Sequence, residues 1–314
     1  MGVDLPNEAD VPPDGHPDRR DDQNARGRAA RSPGTEAETR SREECYNDLR
    51  VADAQQQSVA AQRITAEEQA AADTWNEKVT ESRWIWAEYQ RKWPPEERRP
   101  VDRSNDPPGS WRGDGDRFLD VADNSRVEAA CDLIADRERE KITPALRAIE
   151  SQDPDRHLIG FDDRLKGRDR IKDKVSGMMK ELSFSLDEAV RYLPDAIRYT
   201  FQYRESHYTQ AVWADIARLK DQGFELEKVK NTWAGEQYKG INSQWIDPDS
   251  GQRFEVQFHT RTSFEAKQLT HNAYELLRAK KADAFEELVL EAFQRKVTTE
   301  VPVPPGAADT PDYP

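Results

Sequence analysis

Hydrophobic residues are unevenly spread along the 314 positions, and their spacing predicts where this chain folds. Residues 1–40 carry no aromatic side chain and read as disordered, because so little apolar surface cannot offset the entropy of ordering. From Ser41 to Trp93 there is neither Pro nor Gly. Within that stretch Trp75, Val79, Trp86, Tyr89 and Trp93 recur at helical steps, forming one stripe of a long amphipathic helix over 41–93. Pro94 and Pro95 end it, and 94–115 reads as a polar, Pro-rich linker. A second helical segment fills 116–155. The aromatic stripe packs on its own domain or serves as a partner surface; spacing alone leaves both open.

After His157 the pattern becomes mixed. Residues 157–166 and 195–203 read as strands, 168–182 as an amphipathic helix, and 207–223 as a helix closed by Gly223. Ser185 and Glu188 form a capping box at the start of a short helix, and Thr262 and Glu265 form another that opens a helix running through 281. Three further strands, 224–233, 238–247 and 253–260, are rich in aromatic and β-branched residues. The Pro248–Gly251 turn makes the last two a hairpin. The domain so outlined covers 156–297, and the Pro-rich tail 298–314 reads as disordered.

Composition narrows the functional classes. The formal charge is −14, yet 156–281 holds 22 Lys and Arg against 19 Asp and Glu, so the middle is +3 and the flanks carry −17. Polyanionic ligands are compatible with such a middle segment. No apolar run reaches the ~18–20 residues of a membrane helix. The first residues lack an apolar signal region, so a cytoplasmic protein is expected, acting in the producing or a recipient cell. Cys45 and Cys131, two and distant, exclude a disulfide scaffold and a cysteine-rich zinc site.

Three groups of residues could carry chemistry. Along 253–260, Phe254, Val256 and Phe258 face one side of the strand and Glu255, Gln257 and His259 the other. A turn centred at Asp249 and Ser250 sets Gln244 opposite Glu255 and Asn242 opposite Gln257, so polar groups from two strands converge on one carboxylate. Otherwise the trio is the solvated side of a sheet. Arg164, Lys166, Arg168, Arg170, Lys172 and Lys174 place a cation at every second position where a strand passes into a helix. That corner suits a polyphosphate, or is a solvated helix face paired with Asp169 and Asp173. Asp195 heads an apolar strand, where it caps the chain or, with Glu255, holds Mg²⁺.

Taken in order, these motifs resemble the RelA/SpoT family of alarmone synthetases. The family's Arg-x-Lys and Ser-Ile-x-x-Lys run is matched by Arg164, Lys166, Ile171 and Lys174, with Arg170 in place of Ser; its metal-binding Asp is matched by Asp195. Gly240-Ile241-Asn242-Ser243 looks like its Gly-Tyr-x-Ser, and Glu255-Val256-Gln257-Phe258-His259-Thr260 like its Glu-Val-Gln-Ile-Arg-Thr. His271 is similar to the His of its trailing helix. The likeness covers about 157–281. Three departures concern the acceptor: the base-stacking Tyr falls at Ile241, three residues after Tyr238; one Arg is His259; another falls near Thr200. In wording, the strands look most like the toxic small synthetases and effector domains.

The resemblance implies an α+β fold, a nucleotidyltransferase-like mixed β-sheet with flanking helices, behind a helical extension and a disordered N-terminus. It implies in-line attack of an acceptor 3′-hydroxyl on the β-phosphorus of ATP, with AMP leaving. Arg164, Lys166, Arg168 and Lys174 would hold the ATP phosphates, Asp195 and Glu255 would ligate Mg²⁺, and Glu255 would accept the hydroxyl proton. Tyr238, Asn242, Gln257 and His259 would line the nucleotide site. The acceptor would be an adenine or guanine nucleotide or a tRNA 3′ end, with Lys228, Lys230, Lys239 and Arg261 available for tRNA phosphates. A growth-inhibiting enzyme of this kind would have an antitoxin or immunity protein as partner. The alternative is a catalytically idle nucleotide- or partner-binding module in a phage or secreted-toxin assembly.

Overall fold

The alternation along 252–260 is what orders the sheet. In the computed structural model, which describes residues 66–92, 104–113, 115–278, 282–309 and 311–312, this segment is the longest strand, β7 (Gln252–Thr260). Before it come β3 (His157–Ile159), β4 (Arg198–Tyr203), β5 (Glu225–Asn231) and β6 (Ile241–Asp247). The five form one mixed sheet in the order β3-β4-β7-β6-β5, in which β4 and β7 run parallel and every other pair is antiparallel. The expected hairpin register is observed, with Asn242 opposite Gln257 and Gln244 opposite Glu255.

One sheet face is apolar. Phe254, Val256, Phe258, Trp245 and Phe201 are buried there under α6 (Tyr208–Asp221), whose Tyr208, Val212, Ile216 and Leu219 recur at helical steps. The Tyr208 hydroxyl donates to the carbonyl of Phe258 (2.8 Å), joining helix to strand. On the opposite face the register aligns two transverse polar rows. Lys230, Asn242, Gln257 and Thr200 form one; Lys228, Gln244, Glu255 and Arg198 form the other.

The helical frame differs from the sequence expectation in three places. The segment 116–155 does not begin as helix: β1 (Trp111–Arg112) pairs with β2 (Phe118–Leu119), and Asp120 then caps α2 (Val121–Arg137). A π-turn at Glu138–Ile142 separates α2 from α3 (Thr143–Glu150). The 94–115 stretch, where described, is therefore docked rather than a free linker: Trp111 is buried and its indole N–H donates to Asp169 (2.9 Å) on α4 (Arg168–Glu181). The capping box at Ser185 and Glu188 opens α5 (Leu186–Arg191) as expected. The box expected at Thr262 and Glu265 is replaced by a reciprocal pair two residues earlier, Thr260 with Ser263, at the start of α7 (Arg261–Arg278).

The tail expectation also fails. Helix α8 (Ala284–Thr299) runs past position 298, and beyond it Val301 and Ala307 are buried. Asn231 Nδ2 donates to the carbonyl of Ala307 (2.8 Å) and Thr209 Oγ1 to that of Pro305 (2.7 Å), so this Pro-rich segment is held by side chains instead of by a strand ladder. The aromatic stripe of α1 (Ala66–Lys92) packs on its own chain. Trp75 donates to the Val297 carbonyl (3.3 Å) and Trp86 stacks on Phe293 with ring centres 4.9 Å apart. The expected disorder of 1–40, the expected helix over 41–65 and the stretch 93–103 lie outside the described residues.

Candidate functional site

The polar sheet face opens into a cavity of about 1160 Å³, walled by the corner before α4, by the loop before β6 and by α7. This exceeds the ~300–1,000 Å³ of a typical single-ligand pocket.

The cation ladder splits in two, because α4 sorts it at steps of four. Arg164, Arg168 and Lys172 turn toward α2 and the π-turn: Arg164 donates to Glu138 (2.7 Å) and lies over the Phe161 ring, Arg168 is paired with Glu128 and Asp132, and Lys172 with Glu128. Arg164 and Arg168, expected to hold phosphates, are thus tied to carboxylates and do not line the cavity. Lys166 and Arg170 do line it. Lys174 reaches its edge through Asp195, with Nζ 2.7 and 2.6 Å from the two carboxylate oxygens, while Lys166 Nζ lies 3.2 Å away. Burial opposes the Asp195 charge, yet the two ammonium groups hold its carboxyl below the usual range. The same burial lowers the pKa of Lys166.

Asp195 ends its loop next to β7. Leu165 bridges Ile197, and the Glu255 N–H donates to the Ile197 carbonyl (2.9 Å), so Asp195 and Glu255, sixty positions apart, line the same cavity. Glu255 accepts from Gln257 Nε2 (2.5 Å), and Gln257 Oε1 accepts from Lys267 Nζ (2.5 Å).

His259 does not reach the cavity. It is fully buried, with one ring nitrogen 2.7 Å from the Tyr238 hydroxyl and the other 2.8 Å from Ser263 Oγ. Gly240 lies so close that a Cβ there would sit 2.9 Å from the imidazole, so only glycine fits. Tyr238 also donates to Asn242 Oδ1 (3.0 Å); its hydroxyl is a brace, and burial raises its pKa. Ile241, at the family's stacking position, is buried in the apolar face. Of the lysines and arginine expected to meet tRNA, Lys230 lines the cavity and Lys228 is exposed beside it, whereas Lys239 is buried against the carbonyls of Trp233 and Gly235 and Arg261 is paired with Glu265.

Burial holds the His259 imidazole well below its ordinary pKa, with Lys267 adding to the effect. Unfolding lets it bind a proton that the fold refuses, so below about pH 6.5 the unfolded chain carries more protons and stability falls with pH. The melting temperature should therefore drop between pH 7 and 5, and the drop should be shallower for His259→Gln. Equal slopes in thermal melts would remove His259 as the cause.

Sequence reasoning missed Arg198, across from Glu255, and placed Arg170 in the cation corner but not among the residues holding the ATP phosphates. It also missed a stripe on α7: Lys267, His271, Tyr274 and Arg278, at steps of four, three and four, all line the cavity. That periodicity was visible in the sequence and only His271 was singled out.

No family model matches the chain, and no curated protein matches it. Among solved structures it is similar to the small alarmone synthetase 1 of Bacillus subtilis bound to its product pppGpp, at 15% identity over 56% of this chain and 90% of that one, with a TM-score of 0.39. It is also similar to a GTP pyrophosphokinase family protein from Streptococcus pneumoniae (13% identity, 58% and 91%, TM-score 0.39). A third is smu.1046c from Streptococcus mutans UA159 (13%, 56% and 91%, TM-score 0.37).

Proposed function

We propose that the chain transfers pyrophosphate from ATP to the 3′-hydroxyl of an adenine nucleotide or of the adenosine at a tRNA 3′ end, and that its expression arrests growth. The carrying observation is one cavity in which Lys166, Arg170 and Asp195 on one wall meet Glu255, Gln257 and Asn242 on the other. The order of motifs along the sequence supports the same reading. Lys166, Arg170 and Lys174, rather than Arg164 and Arg168, would hold the phosphates. Gly167 begins α4 with no side-chain cap, leaving first-turn N–H groups for an anion.

Among the described residues no cluster of three or more His, Cys, Asp and Glu is placed to hold a metal alone. Asp195 and Glu255 would supply two carboxylates and the nucleotide the remaining oxygens, the usual arrangement for Mg²⁺. Bound there, the ion would neutralise phosphate charge. Lys166 and Lys174 hold Asp195 ionised for that purpose. Glu255 accepts the proton of the 3′-hydroxyl, and Asn242 and Gln257 orient the acceptor.

The preference for an adenine acceptor is supported by the two departures from the family pattern, Ile241 for the stacking Tyr and His259 for the Arg. Ile241 is buried, and of the aromatic rings lining the cavity Tyr238 and Phe264 are part-buried while Tyr274 on α7 is the most exposed. A base stacked on it would gain ~1–3 kcal/mol. Incubation with ATP labelled at the β-phosphate, offering GDP, GTP, AMP, ADP, ATP or tRNA in parallel, is expected to label adenine nucleotides or tRNA in preference to guanine nucleotides. Strong pppGpp or ppGpp formation with the others unlabelled would overturn this acceptor; no labelled product and no growth arrest would overturn the activity.

A further inference from the structure

A glutamine beside a catalytic carboxylate is useful only if its amide points the right way. Gln257 presents an oxygen at one end and an NH₂ at the other, and a flip exchanges them at almost no steric cost. Facing Glu255 with the oxygen would set two acceptors against each other. Facing it with the NH₂ satisfies one carboxylate oxygen and leaves the second uncommitted to Gln257.

The structure contains the group that decides between them. Lys267 lies in the second turn of α7, its ammonium 5.2 Å from the centre of the Phe264 ring and 2.5 Å from Gln257 Oε1. An ammonium group has three donors and no acceptor, so the only end of the amide it can bind is the oxygen. Gln257 is itself buried, and its other end lies 2.5 Å from Glu255 Oε1. The result is a directed chain, Lys267 to Gln257 to Glu255. Each donor along it is fixed by the one before.

We infer that Lys267 is a positioning residue for the transfer reaction: by holding the Gln257 carbonyl it locks the amide into donating to Oε1 of Glu255, so that Oε2 is presented to the acceptor hydroxyl. This rests on the function proposed above. Burial, with Arg198 nearby, lowers the Lys267 pKa to about 8, so the ammonium form that makes the contact still prevails at neutral pH.

The test is a double-mutant cycle on the full chain. Lys267→Met keeps the length and removes the donor. It is expected to lower kcat roughly tenfold to a hundredfold, the usual effect of losing a group that orients a reacting side chain. KM for ATP should stay within about twofold and the melting temperature should not fall. In a Gln257→Ala background, Lys267→Met should cost no more than about twofold, because the group through which it acts is gone. A full loss in that background, or a loss carried by KM, would show that Lys267 meets the substrate itself and would overturn the inference. A readout independent of activity separates this from failure of the functional reading. With ¹⁵N-glutamine labelling, the Gln257 side-chain NH₂ signals, identified by their absence in Gln257→Ala, should shift and broaden in Lys267→Met. Unchanged signals would overturn the inference even if the enzyme is active. Shifted signals in a protein that transfers nothing would uphold the amide lock and sink only the reaction.

Discussion

Glu255→Gln should reduce pyrophosphate transfer by at least ~10²–10⁴-fold, the range for loss of a general base, without lowering the melting temperature. The substitution keeps the side chain's volume and removes its charge. Glu255 is not part of the apolar core: it stands in a polar row beside Gln244 and Arg198, so the fold asks little of its charge. The chemistry asks much more. An amide cannot accept the proton of a hydroxyl, and it is a poor ligand for a divalent ion. The Gln257 N–H still finds an oxygen at the new residue, which keeps the local geometry. Initial rates with labelled ATP, alongside thermal melts, measure both sides of the claim. Activity within threefold of wild type would take Glu255 out of the mechanism.

Trp75→Ala should destabilise the protein by about 3–5 kcal/mol, the range for removing a fully buried tryptophan. For a domain of this size that corresponds to a melting temperature lower by roughly 6–20 °C. Trp75 is 1% exposed, its indole N–H bonds to the carbonyl of Val297, and Arg83 lies over its ring. Truncation opens a cavity and strands that carbonyl as well. Trp84, 65% exposed on the same helix, is the control: Trp84→Ala should shift the melt by no more than a degree or two. A loss at Trp75 no greater than at Trp84 would mean that α1 is not part of the folded body.

Much of the sheet could be read in advance because its signals are local. The β6–β7 register follows from a four-residue turn and a clean alternation, and it brought Asn242, Gln257 and Glu255 together correctly. The cation ladder could not be resolved in the same way. Six cations at alternate positions look equivalent until the chain coils, and what separates them is the set of carboxylates at Glu128, Asp132 and Glu138, contributed by a helical segment 26 to 44 residues upstream. His259 was misplaced for a related reason. Alternation assigns it to the polar face with Glu255, but that end of β7 is covered by Gly240 and by Ser263 of α7. The tail misled through its prolines, which forbid a ladder but not the burial of Val301 and Ala307.

The order of strands in space and in sequence has one more consequence. β7 is the last strand of the sheet to be synthesised, yet it lies between β4 and β6 and carries Glu255. Until it emerges from the ribosome, Asp195 has no partner wall and the remaining strands form two separate pieces. The pairing that joins them spans nearly sixty residues, a slow, non-local closure that gives little reward before it is complete. A nascent chain therefore lacks the completed polar wall through most of its translation.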